Sequence, residues 1–269
     1  MIGAGQVNAK ATVDRCQPTD HGSPILLGIY TAGEKTPFQF LFESLNGKWC
    51  LPFGVEVMKS LKQSSPYPTL VTFDGKTIGQ GSMVLRDGNP SLEKLVNQKI
   101  IETLAKKVRK LPFITTTLKT GFADPQHWKP AKVLTKGETT AFRKSMETSV
   151  LRCMPSEDKR RDIEQIEIKN SYRDAAGNLL LRFGGNSGYC TGESAENMAD
   201  MVGELWIYIP TAGNAVILPT DGDLVDAGAY NGGDQSELLF LQRDDVEGAP
   251  RNHFVLFYGK GYSQRLDHM

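Results

Sequence analysis

Short apolar runs broken by turn dipeptides fill most of this chain, the pattern of strands. Residues 25–30 and 38–42 are two such runs, rich in β-branched and aromatic side chains. Asn46-Gly47 follows the second and leads into Trp49-Cys50, which predicts a hairpin. Residues 67–73 and 77–84 flank Asp74-Gly75, a second hairpin signal. Phe38, Phe40 and Phe42 sit two apart, so they are expected to share one face of a strand, with Gln39 and Leu41 on the other. The period then changes. Ser91, followed by Leu92, Leu95, Val96, Ile100, Leu104 and Val108, predicts a capped helix near 91–111 that Pro112 stops. A shorter helix is expected from Thr139, with Phe142, Met146 and Val150 on one face. The charged run 155–161 reads as a loop. From 163 onward strands return at 163–172, 179–183, 204–209, 215–218, 224–227, 237–241, 254–258 and 262–266, with Gly- and Asn-containing turns between them.

Many short strands at close spacing predict a mainly β fold. The expected architecture is propeller-like or blade-containing with a helical insertion; a two-domain α+β arrangement or a β-sandwich is the alternative. The predicted division is an N-terminal β-rich region over 1–111, an irregular connecting region over 112–160, and a C-terminal β region over 161–269. The connecting region is where periodicity is poorest and where Pro112, Pro125, Pro130 and Pro155 cluster.

Composition narrows the class. The 269 residues carry 31 Lys and Arg against 31 Asp and Glu, a net charge of zero. Nucleic-acid and anionic-membrane binders normally need a basic excess, so no nucleic-acid partner is expected. No apolar run approaches the roughly 20 residues of a membrane-spanning helix. The 39% of hydrophobic residues argue against global disorder.

The four cysteines are Cys16, Cys50, Cys153 and Cys190. None forms a C-x-x-C pair, so zinc-ribbon and thioredoxin-type spacings are absent. Two local disulfides, Cys16–Cys50 and Cys153–Cys190, are the simplest pairing, although four cysteines permit three connectivities. Each would stabilise by about 3–4 kcal/mol. Four free thiols in a cytosolic protein is the other reading. The opening residues Met1 to Gln6 have no basic start and no apolar core, so an exported form would be one whose leader has been removed.

The stretch from Leu224 to Phe240, LVDAGAYNGGDQSELLF, resembles an FG-GAP/VCBS repeat, whose core reads approximately A-G-D-x-D-x-D-G-x-x-E-L-x-F. HFVLFY from His253 to Tyr258 resembles the next strand of such a blade. YPTLVTFDGKTIGQ from Tyr67 to Gln80, and WKPA from Trp128 to Ala131, resemble segments of exported bacterial proteins that end in this repeat. The resemblance implies an extracytoplasmic β-rich protein, periplasmic or secreted. It implies no reaction. The repeat commonly holds calcium, which takes about 6–8 oxygen ligands. Mapped onto this chain, the ligand positions fall at Ala229, Asn231 and Gly233. The turn glycine is Asp234, and the later acid is Glu237. Asn231, Asp234 and Glu237 are therefore the candidate metal residues. Asp221, Asp223 and Asp226 are nearby oxygens. A metal-free turn that keeps the blade's shape is the preferred reading, so no cofactor is expected.

Other constellations are weaker. Gly184-Gly185-Asn186-Ser187-Gly188 lacks the strand-to-helix setting of a nucleophile elbow and the Lys-[Ser/Thr] ending of a phosphate loop. His21, His127, His253 and His268 form no metal or catalytic pair in sequence. Asp221/Asp223 and Asp244/Asp245 are paired carboxylates better read as solvated turns. Lys106, Lys107, Arg109 and Lys110 complement the end of the expected helix. The expectation is an exported bacterial protein without catalytic activity, recognising a protein or a cell-envelope component. The alternatives are an exported hydrolase with a loop-built site, involving Ser187 or His127, and a calcium-dependent structural or adhesion module.

Overall fold

The computed structural model describes residues 7–8, 10–11, 25–30, 38–45, 48–51, 66–73, 76–86, 89–107, 113–116, 124–151, 154–184, 188–190, 198–200, 204–246 and 249–268. In chain order the first half carries β1 (Val7–Asn8), β2 (Lys10–Ala11), β3 (Ile25–Tyr30), β4 (Phe38–Leu45), β5 (Lys48–Cys50), β6 (Tyr67–Phe73), β7 (Lys76–Arg86), β8 (Asn89–Val96), α1 (Gln98–Lys107) and β9 (Phe113–Thr116). There follow β10 (Lys129–Pro130), α2 (Lys136–Ser145), a π-helical turn (Met146–Val150), α3 (Ser156–Gln165), β11 (Glu167–Arg173), β12 (Leu179–Gly184), β13 (Gly188–Cys190) and β14 (Met198–Asp200). The chain closes with β15 (Glu204–Ile209), β16 (Val216–Leu218), β17 (Asp223–Gly228), β18 (Glu237–Val246), β19 (Ala249–Tyr258), a 3₁₀ turn (Lys260–Tyr262) and β20 (Gln264–His268). The protein is mainly β. Its sheets run β1-β16-β15-β12-β11-β10, β5-β4-β3-β9-β6-β7-β8, β17-β18-β19-β20-β2 and the pair β13-β14, and among the described residues none closes on itself. Contacts divide the chain into two units, one of residues 1–10, 126–223 and 257–265, the other of 11–125, 224–256 and 266–269.

The first unit is built on the sheet centred on β12 and β15. Leu179, Leu181 and Phe183 pair across to Ile209, Ile207 and Leu205. Successive strand residues face opposite ways, so these six share one face. Phe142, Met146, Val150 and Leu151 cover that face. The expected stripe of Phe142, Met146 and Val150 is therefore observed, and all three are buried. Its spacing of four spans the junction of α2 with the π turn, which closes on a bond from the Leu151 N–H to the Met146 carbonyl (2.8 Å). The opposite face is aromatic. Trp206 and Tyr208 lie on it, with Tyr172 beside Trp206 and both Trp128 and Tyr262 against Tyr208.

The run 155–161, expected as a loop, instead enters α3 at Ser156, directly after Pro155. Proline sets φ for helix entry, and Glu157 and Asp158 complement the dipole of the first turn. Ile163 belongs to this helix and packs on the core, so the strand expected from 163 begins only at Glu167.

The second unit contains the seven-stranded sheet. β9 lies in its middle, antiparallel to β3 on one side and β6 on the other. The hairpins expected at 46–47 and 74–75 have their flanking strands paired, Leu45 to Lys48 and Phe73 to Lys76, while the four turn residues lie outside the described residues. The helix expected from Ser91 starts only at Gln98; Ser91, Leu92 and Leu95 are in β8. A bulge explains the misreading. The register shifts between Gln80 and Ser82, and Lys94 takes a φ of 52°. One extra residue resets the strand's alternation. Leu92 and Leu95 thus both pack on the Tyr30, Val71, Ile101 and Phe113 cluster at a spacing that mimics a helix. Val96 and Ile100, placed on the same stripe, are exposed. The helix packs close over β7, where a Cβ on Gly79 would stand 2.9 Å from both the Ile101 Cδ1 and the Val96 carbonyl oxygen.

A second bulge corrects the phenylalanine row. Phe40 pairs with Gly28 but Phe42 pairs with Leu27. Leu27 and Gly28 face opposite ways, so Phe42 leaves the face of Phe38 and Phe40. Gly28 is required there, because a Cβ would meet the Gln39 carbonyl at 2.6 Å.

Candidate functional site

A concavity lies at the edge of the first unit's sheet, where β10 leaves β11. β10 pairs only with Tyr172 and Arg173. One further bond runs from the Ala131 N–H to the Ser171 carbonyl (2.8 Å), and the Ser171 hydroxyl donates back to the Ala131 carbonyl. Pro130 suits this position because an edge strand does not need its missing N–H. The chain then turns away toward α2 and opens a groove of about 550 Å³. Leu134 and Ile168 form its apolar part and pack against the core. Lys132, Thr139, Lys169, Asn170 and Ser171 supply its polar border.

The walls of the groove are locked. Thr135 caps α2 by accepting from the Glu138 N–H (3.2 Å), while the Thr135 N–H donates to the Glu138 carboxylate (2.7 Å). Arg173, at the end of β11, donates to both oxygens of Glu138, at 2.5 and 2.7 Å. This two-point contact joins β11 to α2 beside the groove. Its hydrogen bonds hold the Glu138 pKa down at about 2. Lys169 is paired with Glu167 on the same strand.

The other sequence candidates fall elsewhere. In the first unit, Arg182 forms an ion pair with Glu204, donates to the Asp223 carboxylate (2.7 Å) and donates to the Asp221 carbonyl. Asp223 is thereby engaged in holding the chain between β16 and β17, which the Trp206 indole also pins through the Gly222 carbonyl (2.9 Å). His127 is exposed at a φ of 54°. The residues flanking it are half-buried and join a network that sequence reasoning missed. Trp128 donates to the Tyr262 hydroxyl (3.3 Å), Tyr262 to Gln126 (2.8 Å), and Gln126 to the Asp174 carboxylate (3.1 Å). Asp174 also accepts from the Ala176 and Asn178 N–H groups, closing the 174–178 turn. These residues lie far apart in sequence, and no local spacing announces them.

In the second unit, Asn231 and Asp234 sit in the turn between β17 and β18, and Glu237 opens β18. Asn231 accepts from the Gly233 N–H (2.9 Å), and Gly232 takes a φ of 77°. Glu237 is buried. Its two oxygens accept from the Trp49 indole (3.2 Å) and the Tyr230 N–H (2.7 Å), yet burial still pushes its pKa up to about 7. Asp234 is exposed. Among the described residues no three His, Cys, Asp or Glu side chains group as metal ligands. His253 faces Asp267 at 3.3 Å, and His268 stacks edge-on against Phe42. Burial lowers the His268 pKa.

Ser187, His21, Cys16, Cys153, Arg109 and Lys110 lie outside the described residues. So do the side chains of Cys190, Lys106, Lys107, Asp244 and Asp245. After Gly188 the chain runs into β13, so a strand and not a helix follows Ser187. The expected pairs Cys16–Cys50 and Cys153–Cys190 each involve a side chain outside the described residues, and the Cys50 Sγ lies 3.4 Å from the Glu43 carbonyl oxygen. Among the described residues no helix is long and apolar enough to cross a membrane. No family model matches the chain, and neither a curated protein nor a solved structure does.

Proposed function

We propose that this chain is an exported bacterial protein that acts by binding, recognising a protein or a cell-envelope component. The observation that carries this reading is the groove between β11 and α2. It combines an apolar floor, a polar and cationic border and a wall fixed by the Arg173–Glu138 contact, which is how recognition sites are built. The Ser171 hydroxyl in this groove is committed to the Ala131 carbonyl, which suits it to shaping the wall. The export part rests on two further features. Four cysteines that form two local pairs, Cys16–Cys50 and Cys153–Cys190 in this proposal, would fit an oxidising compartment. Four consecutive strands, β17 to β20, stand in order in one sheet and carry the FG-GAP/VCBS-like motif on the first two, an arrangement that suits a propeller-type blade.

Two measurements test the reading. Thiol counting on the denatured, unreduced chain is expected to find no reactive thiol; four would remove the export reading. The intact protein is then screened against envelope polymers and peptides by titration, alongside chromogenic ester, glycoside and peptide substrates. Saturable binding without turnover is expected, and multiple turnover of any substrate would replace this reading with the hydrolase.

A further inference from the structure

We propose that the open edge of β11 and the groove beside it bind a short, extended, acidic peptide segment, which adds to the sheet as a strand. The inference rests on the binding reading above and names the class of partner. Strand addition needs an unpaired sheet edge for main-chain hydrogen bonds and flanking pockets for alternate side chains. The outer edge of β11 has β10 beside it only at Tyr172 and Arg173, with one further bond at Ser171. Residues 167–170 have no strand on that side among the described residues. At about 3.3 Å per residue, this edge accommodates roughly four residues of an added strand. The groove is open along this edge, and Leu134 and Ile168 offer an apolar floor to every second side chain of the guest.

Charge selects the guest. Lys132 borders the groove, and the exposed Lys129 and Lys136 flank it on β10 and at the start of α2. The acids of the same wall are engaged, Glu138 by Arg173 and Glu167 by Lys169. The surface met by an incoming strand is therefore cationic. The register of β11 also shifts between Ile168 and Asn170, at Lys169. The lysine opposes pairing with neutral sheet edges, including a second copy of this chain, and the bulge limits any added strand to a short one. A short acidic segment satisfies the lysines instead.

The test uses the intact protein and three labelled hexapeptides, in which Val alternates with Glu, Ser or Lys, followed by fluorescence polarisation at low salt. The Glu peptide is expected to bind about tenfold or more tighter than the Lys peptide, and to weaken as salt rises. Methylating alternate backbone nitrogens of the Glu peptide is expected to weaken it at least about tenfold, because main-chain bonds give strand addition its affinity. The exposed double substitution Lys129→Glu with Lys132→Glu is expected to do the same with an unchanged circular dichroism spectrum. Equal binding of the Glu and Lys peptides, or indifference to backbone methylation, overturns the proposal. If other ligands of the screen still bind at the groove, the binding reading survives that failure; if no peptide and no envelope polymer binds, both fall.

Discussion

The two units treat their carboxylates in opposite ways. In the first, Glu138 lies at the edge of the groove with Arg173 across from it, and the hydrogen bonds between them hold its pKa down at about 2. In the second, Glu43 and Glu237 are buried, and desolvation pushes both up to about 7. One oxygen of Glu43 has no hydrogen-bond partner among the described residues, while Glu237 meets neutral N–H donors. A charge kept near water with a cation is stabilised by its partner; a charge taken inside without one is disfavoured by the medium. The first unit therefore uses ionised side chains to shape a surface, and the second spends stability to keep acids in its interior. The contrast fixes the sign of each unit's pH response.

The largest expected effect probes the interior of the first unit. Phe183→Ala removes a fully buried ring from beneath Phe142 and should destabilise by about 3–5 kcal/mol in chemical denaturation. Hydrogen exchange would locate the loss in β12 and β15; a cost below about 1 kcal/mol would mean that the helix-covered face is not a packed core.

The next effect reads the second unit. The pKa values of Glu43 and Glu237 are raised on folding, so their contribution is full below about pH 4.5 and is lost as pH rises toward 7. Stability should fall over that window by on the order of 1–3 kcal/mol for each group. Glu237→Gln should flatten its share of the slope in denaturation curves taken from pH 5 to 8. An unchanged slope would place the titration elsewhere.

Gly79→Ala sharpens the same unit's packing. The added methyl meets Ile101 and the Val96 carbonyl, and a loss of about 1–3 kcal/mol is expected. A neutral or stabilising result in thermal melts would show that α1 shifts freely over β7.

The smallest effect belongs to Glu138. Its pKa is depressed, so its contribution is present above about pH 4.5 and is lost as pH falls toward 2. Glu138→Gln should leave stability nearly unchanged at neutral pH, as exposed pairs do, while softening acid unfolding. Its clearer signature is faster hydrogen exchange at the end of β11, because Arg173 loses one of its two acceptors while the Gln carbonyl still accepts from the Thr135 N–H. Acid unfolding identical to that of the parent chain would contradict the contrast drawn between the units.

Much of the strand content was legible along the chain because its cause is local. The strand at Glu204–Ile209 was read with its observed ends, and Phe142, Met146 and Val150 were read as one buried face. The failures share a physical reason. Single-residue bulges at Leu41 and Lys94 shift the alternation, and a bulge is specified by the partner strand rather than by the strand's own pattern. The helix Ser156–Gln165 escaped because it carries few apolar residues; it is held by its entry and by Ile163 packing on the core. The strand expected from Glu237 has its observed start, with Asn231 and Asp234 in the turn before it. Only the fold showed that Glu237 faces inward to Trp49, 188 positions away.

By itself the amino-acid order determined a mainly β chain of balanced charge, its hairpin partners, its cysteine content and one apolar helical face. These follow from period, turn chemistry and composition, which act over a few residues. Tertiary structure decided the rest. Residues 130–134 and 168–171 form one groove only because β10 pairs briefly with β11 and then departs for α2. Glu138 and Glu237 are the same side chain, and they differ by about five pKa units because one meets Arg173 near water and the other is enclosed. Solvation and pairing are properties of the surroundings, and distant segments supply them only when the chain has folded.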